Sequence, residues 1–287
     1  MSKLIYHEAG KKLYETGVSD GVLYPTNSDG TYGTGVAWQG LTSVQETPSG
    51  AESNPIYADN KKYLDIRSAE QFGATIQAYT FPKAFYECDG SAFMNLGNNN
   101  VSNFITVGQQ SRKVFGLAYK TIVGNDTSMN DYSYKIHMIY GATASPSQRE
   151  YQTVNESPEA IQFSWELTTT PIPVPNHKDS AIITVDVSPI AAMPDSSPEK
   201  TYWKGKIATL EGILWGTDPA YKLTEDTEIV ADKDYYTRSG TEGSYTYTKV
   251  VSPNVSDIAT YYEYTDTEPR LIMPSEFADI FVPYNAG

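Results

Sequence analysis

The chain has 287 residues, is 39% hydrophobic and 20% charged, and carries a formal net charge of −14. That balance belongs to a globular protein rather than a disordered one, and its acidity argues against tight nucleic-acid binding driven by counterion release. Cys88 is the only cysteine, which excludes an internal disulfide and leaves a small, partly buried hydrophobe as its expected role.

No apolar run reaches the ~20 residues that span a bilayer, so no membrane contact is expected. The start, "MSKLIYHEAGKKLYE", lacks the apolar stretch of a signal peptide. The expectation is synthesis in a cytoplasm and retention there, unless the protein is exported within an assembly.

Taken in chain order, the first notable stretch is "DGTYGTG", Asp29 to Gly35. Its glycine spacing fits neither nucleotide-binding motif and no helical pattern follows, so it reads as a loop leading into a strand. Two long polar stretches come next, Ser49 to Ser68 and Cys88 to Asn103. Loops of that length are usually functional or contact arms. The first contains Ile56, Tyr57, Tyr63 and Leu64 as candidate anchors.

"QFGATIQAYT" alternates between Phe72, Ala74, Ile76 and Ala78 on one side and Gln71, Thr75, Gln77 and Tyr79 on the other. "IQFSWELTT" sets Ile161, Phe163, Trp165 and Leu167 against Gln162, Ser164, Glu166 and Thr168. "YSYKIHMIY" sets Tyr134, Ile136, Met138 and Tyr140 against Ser133, Lys135, His137 and Ile139. Such alternation predicts antiparallel strands with one buried and one wet face. "KVFGLAYKTIVG" and "AIITVDVSP" are shorter or less regular strand candidates, and the proline-rich "TTTPIPVPNHK" reads as an extended connector.

One helix interrupts the strands. Ser197 fits an N-cap and Pro198 the first helical position. Trp203, Ile207, Leu210 and Leu214 recur on one helical face, and Gly216 is a fitting terminator. Gly205 and Gly212 weaken the helix by about 1 kcal/mol each relative to alanine.

Chemistry-bearing motifs are scarce. His7, His137 and His177 are the only histidines, and none has a second ligand at zinc spacing. His137, beside Lys135 on a polar strand face, is expected to be solvated. Pairs such as Glu8 and Glu15, or Asp126 and Asp131, are ordinary among 35 acidic residues, and no serine sits on a nucleophile elbow. The expectation is a protein without catalytic activity, metal or cofactor.

Ordered stretches carry a resemblance. "GTGVAWQGLTSVQETPSGAES", "ADNKKYLDIRSAEQFGATIQAYTFPKAFYECDG", "VGQQSRKVFGLAYKT", "YKIHMIYGATASPSQREYQTVNESPEAIQFSWELTTTPIPV" and "LEGILWGTD" resemble the major tail proteins of long, non-contractile-tailed bacteriophages, those of phages infecting Gram-positive bacteria most of all. The resemblance covers most of residues 1–218. It implies a mainly β fold, a β-sandwich or barrel-like subunit with one helix packed on it. It implies hexameric rings stacked into a tail tube that conducts DNA during ejection. Its partners would be copies of itself, tape-measure protein, and tail-terminator or tail-tip proteins, with double-stranded DNA only in transit. The location would be the virion tail, assembled in the host cytoplasm. On this reading Gln71, Thr75, Gln77, Gln162, Ser164, Glu166 and Thr168 are candidate lumen-facing residues, and the Ser49–Ser68 arm makes inter-subunit contacts.

In the family pattern "LEGILWGTD" runs almost directly into a tail resembling "PRLIMPSEFADIF". Here residues 221–268 intervene, with eight tyrosines, ten acidic and four basic residues. Runs such as "EIVADKDYYTR", "SYTYTKVVS" and "TYYEYT" predict a small β-rich insertion held by cross-strand tyrosine and threonine pairs, with a longer hairpin loop from Ser239 to Gly243. The expected division is a core of residues 1–220, an outward-facing insertion 221–268, and a segment 269–287 completing the core. The alternative function is a phage or cell-surface adhesin that binds glycans through the tyrosine-rich segment.

Overall fold

The computed structural model describes residues 6–94, 105–147, 149, 153, 160–231, 233–241 and 244–284. The fold is mainly β, and the named strand pairs are antiparallel. Its main sheet takes β1 (Leu13–Pro25), β2 (Val36–Trp38) and β3 (Leu41–Glu46) from the N-terminal part. β4 (Ser53–Ala58) and β5 (Lys61–Arg67) stand outside it, and β6 (Gly73–Ala78) rejoins it.

The stretch Cys88 to Asn103, expected as a loop, opens instead with the end of a helical turn, α1 (Tyr86–Asp89), and a short strand. That strand, β7 (Ala92–Phe93), pairs with β8 (Thr106–Val107); residues 95–103 lie outside the described residues. Two long strands follow, β9 (Phe115–Asn125) and β10 (Met129–Ala144), then β11 (Phe163–Thr169) and β12 (Ile182–Asp186). The sheet order is β2-β1-β9-β10-β11-β6-β3, with β12 also on β10.

β10 changes partner along its length, and that change turns one sheet into two layers. Residues 135–139 pair with β12, and 142–144 with β11. Between them Gly141 has φ +59, and a Cβ there would collide with the Thr170 carbonyl oxygen. Only glycine takes this bend without strain.

The fold's two principal cores lie on either side of the β1-β9-β10 layer. Leu23, Leu117 and Ile139 face Trp165, Leu167 and Ile76 of the β11-β6-β3 layer. Val22, Tyr24, Ala118 and Met138 face the other way, against Leu210 and Leu214. These last two belong to α3 (Pro198–Trp215), which follows the short α2 (Ser188–Ala191). The expected helix face is therefore the packed one, with Trp203 half-buried at its end. Ser197 occupies the N-cap position, but its side chain makes no capping hydrogen bond. Gly216 ends the helix at φ 78. Tyr24 Oη donates to Leu214 O at 2.5 Å, fixing the helix end to the sheet. The C-terminal segment joins this core through Leu271, Ile272 and Ile280, the last in α4 (Phe277–Ile280).

A second sheet has the order β13-β16-β14-β15, built from β13 (Thr217–Leu223), β14 (Tyr235–Thr241), β15 (Ser244–Lys249) and β16 (Tyr262–Thr267). β13 begins directly after Gly216 and so runs across position 220/221. Pairing continues to Thr241 opposite Ser244, so Ser239 to Thr241 are strand residues rather than part of a longer loop. Glu242 and Gly243 lie outside the described residues.

Candidate assembly surfaces

Three exposed surfaces and one buried cluster hold the sequence-predicted residues. The first surface is a polar wall on the outer face of the β3-β6-β11 layer, across both cores from α3. Ser164 pairs with Gln77, Glu166 with Thr75 and Thr168 with Gly73. The opposite face is Ala74, Ile76, Ala78, Trp165 and Leu167, all buried. The polar faces expected of these two strands are thus neighbours. Gln77 Oε1 accepts from Ser43 Oγ at 3.1 Å and from Gln162 Nε2 at 3.4 Å, and Gln162 also donates to Thr42 Oγ1 at 2.9 Å. Glu166 and Thr168 are exposed, while Thr75, Gln77 and Ser164 are half-buried. Gln71 lies before β6, its main chain bridged to Ser49. Sequence reasoning missed Ser43 and Gln45, which extend the wall through β3. The signal "LTSVQE" was broken by a register shift between Leu41 and Ser43.

The second surface is the Ser49–Ser68 arm, which is a hairpin rather than a loop. β4 and β5 pair with each other, and every residue of both strands is exposed. The turn residues Asp59 and Asn60 have φ 51 and 60, the pair of positive angles that a tight hairpin turn requires. Ile56 pairs with Leu64 and Asn54 with Ile66, so Ile56, Leu64 and Ile66 form an apolar stripe. Tyr57 pairs with Lys62, leaving Tyr63 as the extra residue at a register slip. Tyr57 and Tyr63 are 67% and 72% exposed. Ile66 was not singled out in the sequence, although its alternation with Leu64 was there to be read.

His137 is not solvated, contrary to expectation. It is 7% exposed and stacks on Tyr119, ring centroids 4.7 Å apart. Its ring nitrogens lie 2.9 Å from Thr121 Oγ1 and 3.2 Å from Thr184 Oγ1. Glu15 and Glu46 stand 3.6 and 3.8 Å away. The reason is the bend in β10: both faces of residues 136–140 are covered, so alternation there marks two interiors rather than one. Burial pushes the His137 pKa below 6.5, with Glu46 and Glu15 opposing. Cys88 is buried in the core as expected, and burial pushes its thiol up to about 12.

The small sheet gathers its tyrosines on both faces. Tyr235 and Tyr261 are buried with Ile258, and their hydroxyls are engaged, Tyr235 Oη by Asp226 at 2.7 Å and Tyr261 Oη by the Asn254 N–H at 3.1 Å. On the other face Tyr221 pairs with Tyr264 and Tyr236 with Tyr262. The sheet curls enough for Tyr221, on one edge strand, to stack on Tyr247 of the opposite edge strand at 3.9 Å. Arg238 lies 4.3 Å from the Tyr245 ring centre and 4.8 Å from that of Tyr262.

A cavity of about 650 Å³ opens between α2, α3 and β9-β10. Two of its lysines are already engaged: Lys120 by Glu211 at 2.7 Å, and Lys200 by the Met193 carbonyl and Asp195, each at 2.7 Å. Among the described residues no three His, Cys, Asp or Glu side chains are grouped to hold a metal ion. No helix among the described residues is long and apolar enough to cross a membrane.

No family model matches the chain, and no curated protein matches it. Solved structures do match, with low similarity. One is a chain of the anti-feeding prophage baseplate, at 9% identity and TM-score 0.29, covering 65% of this chain and 99% of that one. Two come from an extracellular contractile injection system. The sheath-tube complex chain has 12% identity and TM-score 0.26, over 58% of this chain and 89% of that one. The sheath/tube terminator chain has 8% identity and TM-score 0.28, over 64% and 99%. At TM-scores of this size the likeness carries no argument about fold or role.

Proposed function

We propose that the chain is a structural subunit of a phage tail tube, forming hexameric rings that stack into a conduit for DNA. The observation that carries this reading is the β4-β5 hairpin. A two-stranded hairpin alone in water is marginal, yet here Ile56, Leu64 and Ile66 are presented to solvent at 42%, 41% and 53% exposure. Neighbouring copies of the chain would cover them. The ordered sequence resemblance to major tail proteins supports a tail tube as that assembly.

The polar wall fits the lumen role. Of the seven candidate residues only Glu166 is charged, so the surface offers phosphate no cation. Every lysine or arginine contact would add salt-dependent affinity, and six to ten of them change binding by about 10³–10⁵ over a modest salt range. A wall without cations lets DNA pass. Residues 221–268 project outward in this reading, between a core of residues 1–220 and the closing segment 269–287. The subunit catalyses nothing; its partners are its own copies, tape-measure protein, and terminator or tip proteins, in a virion tail assembled in the host cytoplasm.

Negative-stain microscopy of the purified chain tests this. Rings or tubes are expected. Monomers or trimers at every concentration and salt tried would overturn the reading in favour of an adhesin.

A further inference from the structure

We propose that the open tyrosine face of the small sheet binds acidic carbohydrate, with Arg238 receiving the carboxylate or phosphate and the surrounding tyrosines receiving the sugar. This does not depend on tube formation.

The two faces of this sheet treat the same side chain differently. On the covered face the hydroxyls of Tyr235 and Tyr261 are hydrogen-bonded within the protein. On the open face, the hydroxyls of Tyr221, Tyr236, Tyr245, Tyr247 and Tyr262 have no hydrogen-bond partner among the described residues. Tyr245 and Tyr264 are 40% and 42% exposed. Ring packing between these residues would stabilise the sheet equally well with phenylalanine. Tyrosine adds an array of donors and acceptors directed at whatever meets the surface.

The charge pattern selects the ligand. Lys233 pairs with Asp226 and Glu263, and Lys249 with Asp234. Arg238 is exposed and forms no ion pair or hydrogen bond among the described residues. Two rings bracket its guanidinium, holding the planar fork that suits a carboxylate or phosphate. A cation with no ion pair among the described residues, in a segment rich in carboxylates, is complementary to an anion. Rings with free hydroxyls around it suit a sugar, whose C–H faces stack and whose hydroxyls bond. Leu223, 53% exposed, lies two residues from Tyr221 along β13, and so on the same face.

The test uses the full-length chain on immobilised oligosaccharides bearing uronate, sialate or sugar phosphate, beside neutral oligosaccharides and a poly-glutamate peptide. Binding to at least one acidic class, weakened by salt, is expected. Arg238→Gln should lower that affinity about tenfold or more, Arg238→Lys less, and Tyr245→Phe measurably. Thr237→Ala, on the other face, should leave it unchanged, and circular dichroism should be the same for all variants. Any of three results overturns the proposal: no acidic glycan bound, binding indifferent to Arg238, or poly-glutamate bound with the same Arg238 dependence and no glycan.

Discussion

Replacing Ile56, Leu64 and Ile66 together by serine removes the hairpin's apolar stripe without touching either core. Fully burying one such side chain is worth about 1.5–3 kcal/mol. Exposures of 42%, 41% and 53% leave roughly half of that available to a partner, about 0.7–1.5 kcal/mol per residue. Three residues sum to about 2–4 kcal/mol per contact, or roughly 30- to 1,000-fold in its association constant. The assay is the critical concentration for assembly, read by sedimentation and microscopy. The triple variant should need far more protein to form rings or tubes, while its far-ultraviolet circular dichroism and thermal midpoint stay close to those of the parent. Unchanged critical concentration would refute the reasoning, because the stripe would then face solvent in the assembly. A large drop in thermal midpoint would refute it differently, by showing that the stripe supports the subunit's own fold.

Substituting Thr75 and Thr168 by lysine should leave assembly intact but make the tubes retain DNA in a salt-dependent way, measured by co-sedimentation; DNA retention unchanged by the lysines would remove the wall from the lumen. Gly141→Ala should destabilise the chain by at least about 1–2 kcal/mol, since φ +59 disfavours any Cβ and the Thr170 carbonyl blocks it; denaturant titration checks this. Leu214→Ala should cost about 2–5 kcal/mol by the same measurement, as Leu214 is fully buried under the sheet. Stability should also fall as pH drops below 6.5, because unfolded His137 takes up a proton there while the buried ring, its pKa lowered, does so only at lower pH. His137→Gln should flatten that part of the profile; an identical slope in the variant would assign the loss to other groups.

What was legible in the sequence follows from which faces meet water. β6 and β11 alternate cleanly because one face meets the core and the other meets solvent, so both strands and the polar wall between them were readable. α3 was readable for the same reason, with Leu210 and Leu214 inward and Thr209 exposed. β10 misled because its middle has an interior on each side. His137 sits in one and Met138 in the other, and a histidine between two threonines looks no different in sequence from a wet one. β13 was hidden by Pro219, a residue that argues against a central strand but is tolerated in an edge strand such as this one.

The hairpin failed to read as strands for a more instructive reason. Burial is what makes a strand visible, and in a single chain no residue of this hairpin is buried: polar residues and lysines surround Ile56, Leu64 and Ile66 on both sides of the turn. Its alternation would become a burial pattern only with a second copy in place. The small sheet shows the converse. Its tyrosines were expected to hold the sheet together, and Tyr235 and Tyr261 do so with their hydroxyls bonded internally. The open face has the same residue type with the hydroxyls of Tyr221, Tyr236, Tyr245, Tyr247 and Tyr262 unbonded among the described residues. Composition could not separate these two uses of tyrosine, because the difference lies in which face of the strand each one occupies and what stands opposite it.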